Sequence, residues 1–217
     1  MDLASLQETL QQIYDVDPGH DVRRFVITDA RLARILGGGR ESPERLLVRC
    51  EAGEVALSLY IDEAVLARLR RDDPLRELHP GNLADFCTAL EGVSHFVYLA
   101  FHAGHDRPVT RLELELQAEV DKYVTAAALM VRQRRRLPPR ALRRRLFHHV
   151  RFAAGMPAEE LRRYWWANRY ADLYCAGIER VLRQGPRLPP LANELRRFYR
   201  LPQAGKIARA RRFAAGP

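Results

Sequence analysis

Leu3, Leu6, Leu10 and Ile13 recur at helical spacing, with Ser5 and Glu8 in capping-box relation, which predicts a short amphipathic helix at the start of the chain. Pro18-Gly19 marks the turn after it, and a strand over Arg24 to Thr28 follows. Asp29 then starts a brief helix that Gly37, Gly38 and Gly39 stop. The clearest β signal comes next. Leu46, Val48 and Cys50 alternate with Leu47, Arg49 and Glu51, and after Ala52-Gly53 the alternation resumes through Val55, Leu57, Leu59 and Ile61, the pattern of a hairpin. Asp62 caps a helix to about Arg71, and Asn82 caps another with Leu83, Phe86, Cys87 and Leu90 on one face. Gly92 interrupts that helix, and the charge-free run from Ser94 to His102, rich in aromatic and β-branched residues, reads as a buried central strand, the fourth of a small sheet.

From Thr110 onward the pattern is helical throughout. Thr110 and Glu113 form a capping box, and Leu112, Leu116, Val120, Tyr123, Ala127 and Val131 make one stripe, predicting a helix of roughly 25 residues that runs to Pro138. Three more helices are expected over Arg140 to Ala154, Pro157 to Gln184 and Leu191 to Leu201, followed by a basic segment from Gly205 to Arg212 that frays.

Charge divides this chain unequally. Residues 1–122 hold 22 acidic and 14 basic side chains, a net of −8, whereas residues 123–217 hold 5 and 22, a net of +17, which together give the +9 of the whole chain. Such a block attracts phosphate-rich or acidic partners through its summed field. Only Lys122 and Lys206 are lysine, so the cations are almost all arginine. The longest stretch without a formal charge, Gly92 to His105, is too short to cross a bilayer, and Cys50, Cys87 and Cys175 form no CxxC pair. These features lead to the expectation of a soluble cytosolic protein that does not engage membrane.

The densest basic region is Arg132 to Arg151, with nine arginines in twenty residues. On the helix from Arg140, Leu142, Leu146, Val150 and Ala153 form the buried stripe and leave Arg144, His148 and Arg151 outward, a face suited to a phosphate backbone. Further on, Arg162-Arg163-Tyr164-Trp165-Trp166-Ala167-Asn168-Arg169-Tyr170 interleaves cations and aromatics as single-strand binders do. Leu161, Tyr164, Asn168, Ala171, Cys175, Ile178 and Leu182 form a heptad stripe toward a core, which leaves Trp166 and Tyr170 on the opposite side as stacking candidates. Glu115 and Glu119 lie one turn apart, and with a histidine from His95, His102 or His105 they would suit manganese, iron or magnesium. Phosphate-loop and nucleophile-elbow motifs are absent.

Arg143 with His148, or Arg144 with His149, has an Arg-x4-His spacing that resembles the helical HEPN ribonucleases, although arginine follows the first residue where that family often has a polar one. The resemblance implies that such a pair meets an RNA phosphate and 2′-hydroxyl.

The expected architecture is α+β: an acidic part over residues 1–107 with a small, about four-stranded sheet and flanking helices, then an all-helical basic part over residues 108–217, the two sharing one core. The expected function is noncatalytic binding of RNA or DNA through Arg132, Arg135, Arg136, Arg143, Arg144 and Arg151, with Trp166 and Tyr170 as stacking partners and no cofactor. One alternative is an accessory protein docking an acidic partner protein. Another is a metal-dependent enzyme built on Glu115, Glu119 and a histidine, or a ribonuclease of the HEPN kind.

Overall fold

A computed structural model describes residues 1–38, 41–51, 54–134, 139–150, 155–183 and 188–215. Among these the chain is mostly helical. The elements are α1 (Leu3–Tyr14), a 3-10 turn (Val22–Phe25), β1 (Val26–Ile27), α2 (Ala30–Leu36), β2 (Glu44–Glu51), β3 (Glu54–Ile61), α3 (Glu63–Arg71), α4 (Leu83–Ala103), α5 (Arg111–Arg132), α6 (Pro139–Phe147), α7 (Ala158–Arg183), α8 (Leu188–Arg200) and α9 (Gln203–Ala215).

Side-chain caps start several of these helices. Asp2, Asp29 and Asp62 accept backbone N–H bonds at the first turns of α1, α2 and α3, and Thr110 Oγ1 accepts the Glu113 N–H at α5, each satisfying a donor that the helix itself leaves orphaned. Glu113 does not complete a capping box. Its carboxylate bonds Tyr98, Arg107 and the backbone N–H of Gln203 instead.

The sheet has three strands among the described residues, in the order β1-β3-β2, with β1 parallel and β2 antiparallel to β3. The expected fourth strand is absent: Ser94 to His102 lies inside α4. Every residue from Gly92 to Tyr98 is buried, because the sheet, α1 and α5 surround this stretch. A helix covered on all sides has no polar face, so its sequence shows a continuous apolar run like that of a buried strand. Gly92 also has a packing reason to be there. A Cβ on it would stand 2.8 Å from Leu59 of β3 and 3.0 Å from Glu44 Oε2 of β2, so the missing side chain lets the sheet rest directly on α4.

Leu59, Phe86, Val93, Phe96, Leu116, Val120, Tyr123, Ala171 and Cys175 belong to one buried cluster that draws on both halves of the chain. α5 lies between α4 and α7, α1 packs on α4 and α8, and α9 packs along α7. The last basic segment is therefore a docked helix, with Lys206 and Ala210 buried. Lys206 Nζ donates to Gln117 Oε1 and to the Phe198 carbonyl, and lies 4.3 Å from the Phe198 ring centroid. Beside it, Asp121 accepts from Tyr14, Ser94 and Gln117. No helix among the described residues is long and apolar enough to cross a membrane.

A candidate nucleic-acid interface and a buried ionisable cluster

Of the arginines singled out in the sequence, the three that are described, Arg132, Arg143 and Arg144, do not share one outward face. Arg135, Arg136 and Arg151 lie outside the described residues. Arg132 is exposed at the end of α5, with a long bond to the Leu75 carbonyl at 3.3 Å, and Arg144 is exposed on α6. Arg143 is turned inward. Leu142 and Phe147 seat α6 on α7, and from that seam Arg143 donates to Asp172 and, at 2.7 Å, to Glu179 Oε2. His148 Nε2 stands 3.3 Å from the same Asp172. The arginine and histidine of the Arg-x4-His spacing thus converge on a protein carboxylate. Asp172 and Glu179 are themselves buried, so they need these cations.

The aromatic stretch of α7 is arranged differently. Trp165 and Trp166 are 50% and 42% exposed, edge-to-face with ring centroids 4.7 Å apart. Trp166 stacks on Tyr170 at 5.3 Å and 15°, a pair set by their i, i+4 spacing. Tyr170 is 7% exposed, whereas the heptad argument places it on the open side. The reason is α9. Docked on α7, it brings Arg211 over the ring, Cζ 5.5 Å from the centroid, with Nη2 donating to the phenol oxygen at 3.1 Å. Arg162 and Arg169 flank the indoles one turn before and one turn after, both exposed. None of Arg162, Arg169 and Arg211 makes an ion pair among the described residues, while the nearby Glu160 reaches toward Arg163. The result is a fixed aromatic ladder with free indole surface and cations around it.

On the inner side of the same helix a second arrangement appears. Glu91 and His95, four residues apart on α4, face Glu115 on α5, and one donor atom from each lies within 4.8 Å of the other two. Lys122 Nζ bridges Glu91 Oε2 at 3.1 Å and Glu119 Oε1 at 2.8 Å. β2 sends in Glu44, whose Oε2 is buried without a hydrogen-bond partner, and α7 sends in Arg163, Nε 3.8 Å from Glu115 Oε1. His95 Nε2 stands 3.5 Å from Glu115 Oε2, within ion-pair reach but without hydrogen-bond geometry.

These groups shift one another. Burial, with Glu91 beside it, pushes the Glu44 carboxyl up to about 8. Burial would push His95 down, but Glu115, Glu44 and Glu91 outweigh it and hold the imidazole at about 9. Burial likewise opposes ionisation of Glu91, and Lys122 overrides it, keeping that carboxyl below its ordinary range. Of the residues expected for a metal, Glu115 and His95 come together, whereas Glu119 pairs with Lys122, His102 accepts from Arg107 and His105 is exposed near the Phe101 carbonyl. Glu91 and Glu44 are additions. The Glu91-x3-His95 spacing is visible in the sequence, but it signals a shared face only if the segment is helical.

Comparison of the chain with family models, curated proteins and solved structures returns no match.

Proposed function

We propose that this protein binds single-stranded RNA or DNA through the outer face of α7, with Trp165 and Trp166 stacking on bases and Arg162, Arg169 and Arg211 meeting phosphates. The observation that carries the reading is the paired exposure of the two tryptophans among cations that no described carboxylate neutralises. Large aromatic surface is costly to leave in water, and arginine without a local partner leaves room for an outside anion. A base stacked on such a ring contributes roughly 1–3 kcal/mol without reading sequence. The surplus of residues 123–217, including exposed Arg132 and Arg144, adds attraction at longer range. In this reading Tyr170 supports Trp166 from beneath, and Arg143 holds α6 on α7.

The chain contains 2 tryptophans and both belong to this face, so intrinsic tryptophan emission reports on it alone. An unstructured oligonucleotide at low salt is expected to quench that emission. Three phosphate contacts predict a slope of about −2 in log affinity against log salt, and Arg162→Ala or Arg169→Ala each reduces it by about 0.7. An acidic protein as the true partner gives no quenching with oligonucleotide, and that outcome removes the assignment.

A further inference from the structure

We infer that Glu91, His95 and Glu115 bind a single divalent transition-metal ion of the manganese, iron(II) or zinc class between α4 and α5. This site is separate from the nucleic-acid face.

Spacing supplies the first argument. The three donor atoms lie within 4.8 Å of one another. Donors around an ion bound at about 2.1 Å are about 3–3.5 Å apart when adjacent and about 4.2 Å when opposite, so side-chain shifts of up to about 1 Å bring all three onto one ion. The helices fix this arrangement: an i, i+4 pair on α4 presents a carboxylate and an imidazole on one side, and Glu115 meets them from the facing α5.

Unsatisfied polar atoms in the same place point to a held ion. His95 is 5% exposed, and its Nε2 has no hydrogen-bond partner among the described residues. Glu44 Oε2, pressed against Gly92 beside the same group, has none either. Buried donors and acceptors rarely lack partners, and two such atoms next to a converging donor set mark a place where something else is held. Ligation replaces the proton that the surrounding carboxylates hold on His95, because only the neutral imidazole coordinates.

The donor chemistry selects the class. An imidazole with carboxylates suits manganese, iron(II) and zinc, whereas magnesium and calcium prefer shells of oxygen alone. Lys122 holds one oxygen of Glu91 and so orients the other, and Glu44 is the carboxylate placed to extend the shell from the sheet.

The test uses the full chain, stripped by a chelator and dialysed, then titrated separately with manganese, zinc and anaerobic iron(II) by calorimetry and thermal unfolding. One equivalent per chain, a raised midpoint, and at least tenfold weaker binding of magnesium and calcium are expected. His95→Gln and Glu115→Gln should each weaken binding at least tenfold. Should either variant fail to fold, cobalt(II) added to the native protein gives a second readout, since imidazole and carboxylate ligation produces visible absorption distinct from that of the aquo ion. Absence of saturable binding of all three metals at millimolar concentration, with no cobalt spectrum, overturns the proposal and leaves an ion-pair network. A Trp165→Ala, Trp166→Ala double variant should bind metal as the native protein does, so the two proposals fail independently.

Discussion

Replacing Arg143 separates a cation that holds the fold from one that meets a ligand. Its side chain is 17% exposed, and those of Asp172 and Glu179 are 12% and 6%. Arg143→Met keeps the aliphatic stem but strands two carboxylates in the α6–α7 seam. Removing one partner of a buried pair costs about 3–5 kcal/mol. Two neighbours soften the loss. Arg183 still reaches Glu179, and His148 stands 3.3 Å from Asp172, so about 2–4 kcal/mol is expected. For a chain of this length that corresponds to a fall of about 5–15 °C in the unfolding midpoint. Circular dichroism during thermal and urea unfolding measures it. The companion measurement is the salt slope of oligonucleotide binding at a temperature where the variant is folded, which should match the native slope. A midpoint within about 2 °C of native, or a slope flattened as much as by Arg162→Ala, refutes the assignment of Arg143 to the fold.

Gly177→Ala brings a Cβ to 2.4 Å from Phe213 Cδ1 and 2.8 Å from its carbonyl oxygen. Overpacking of about 1–3 kcal/mol should exceed the gain of about 1 kcal/mol in helix propensity, and a variant more stable in urea contradicts the close approach of α9 to α7. Asp121 is lifted to about 6 by burial, against the hydrogen bonds from Ser94, Tyr14 and Gln117. A carboxyl raised in the fold stabilises fully below its unfolded value near 3.9, and that contribution is lost as pH rises through about 6. The native protein should therefore lose stability relative to Asp121→Asn over that interval, and a constant difference in midpoint from about pH 4 to about pH 7 contradicts the shift.

The parts of the molecule that could be read in the sequence are those where polar residues interrupt the apolar ones at a regular period. α5 shows its start in Thr110 and its inner stripe in Leu116, Val120 and Tyr123 because charged residues such as Arg111, Glu119 and Lys122 punctuate them, although Lys122 is itself enclosed. The hairpin of β2 and β3 is legible for the same reason, since alternation survives where one side of a strand is less covered than the other. α4 fails this condition. Its middle is buried on every side, its periodicity is erased, and with it goes the inference that Glu91 and His95 share a face. Pairings across long stretches of chain were equally hidden. Nothing near Arg143 in sequence points to Asp172 or Glu179, about 30 residues on, and nothing near Tyr170 points to Arg211. Charge counts give the surplus of a segment, while only the fold decides which guanidinium groups carry it outward.

The sequence has two lysines, and both are enclosed: the side chain of Lys122 is 12% exposed between two glutamates, and Lys206 is 0% exposed against three aromatic rings. Acylating reagents need a free, unprotonated ε-amine in water, which neither offers while α5 and α9 stay in place. Each also sits on a different part of the helical layer, so modification of Lys206 should time the detachment of the last helix, and modification of Lys122 should time the opening of the centre.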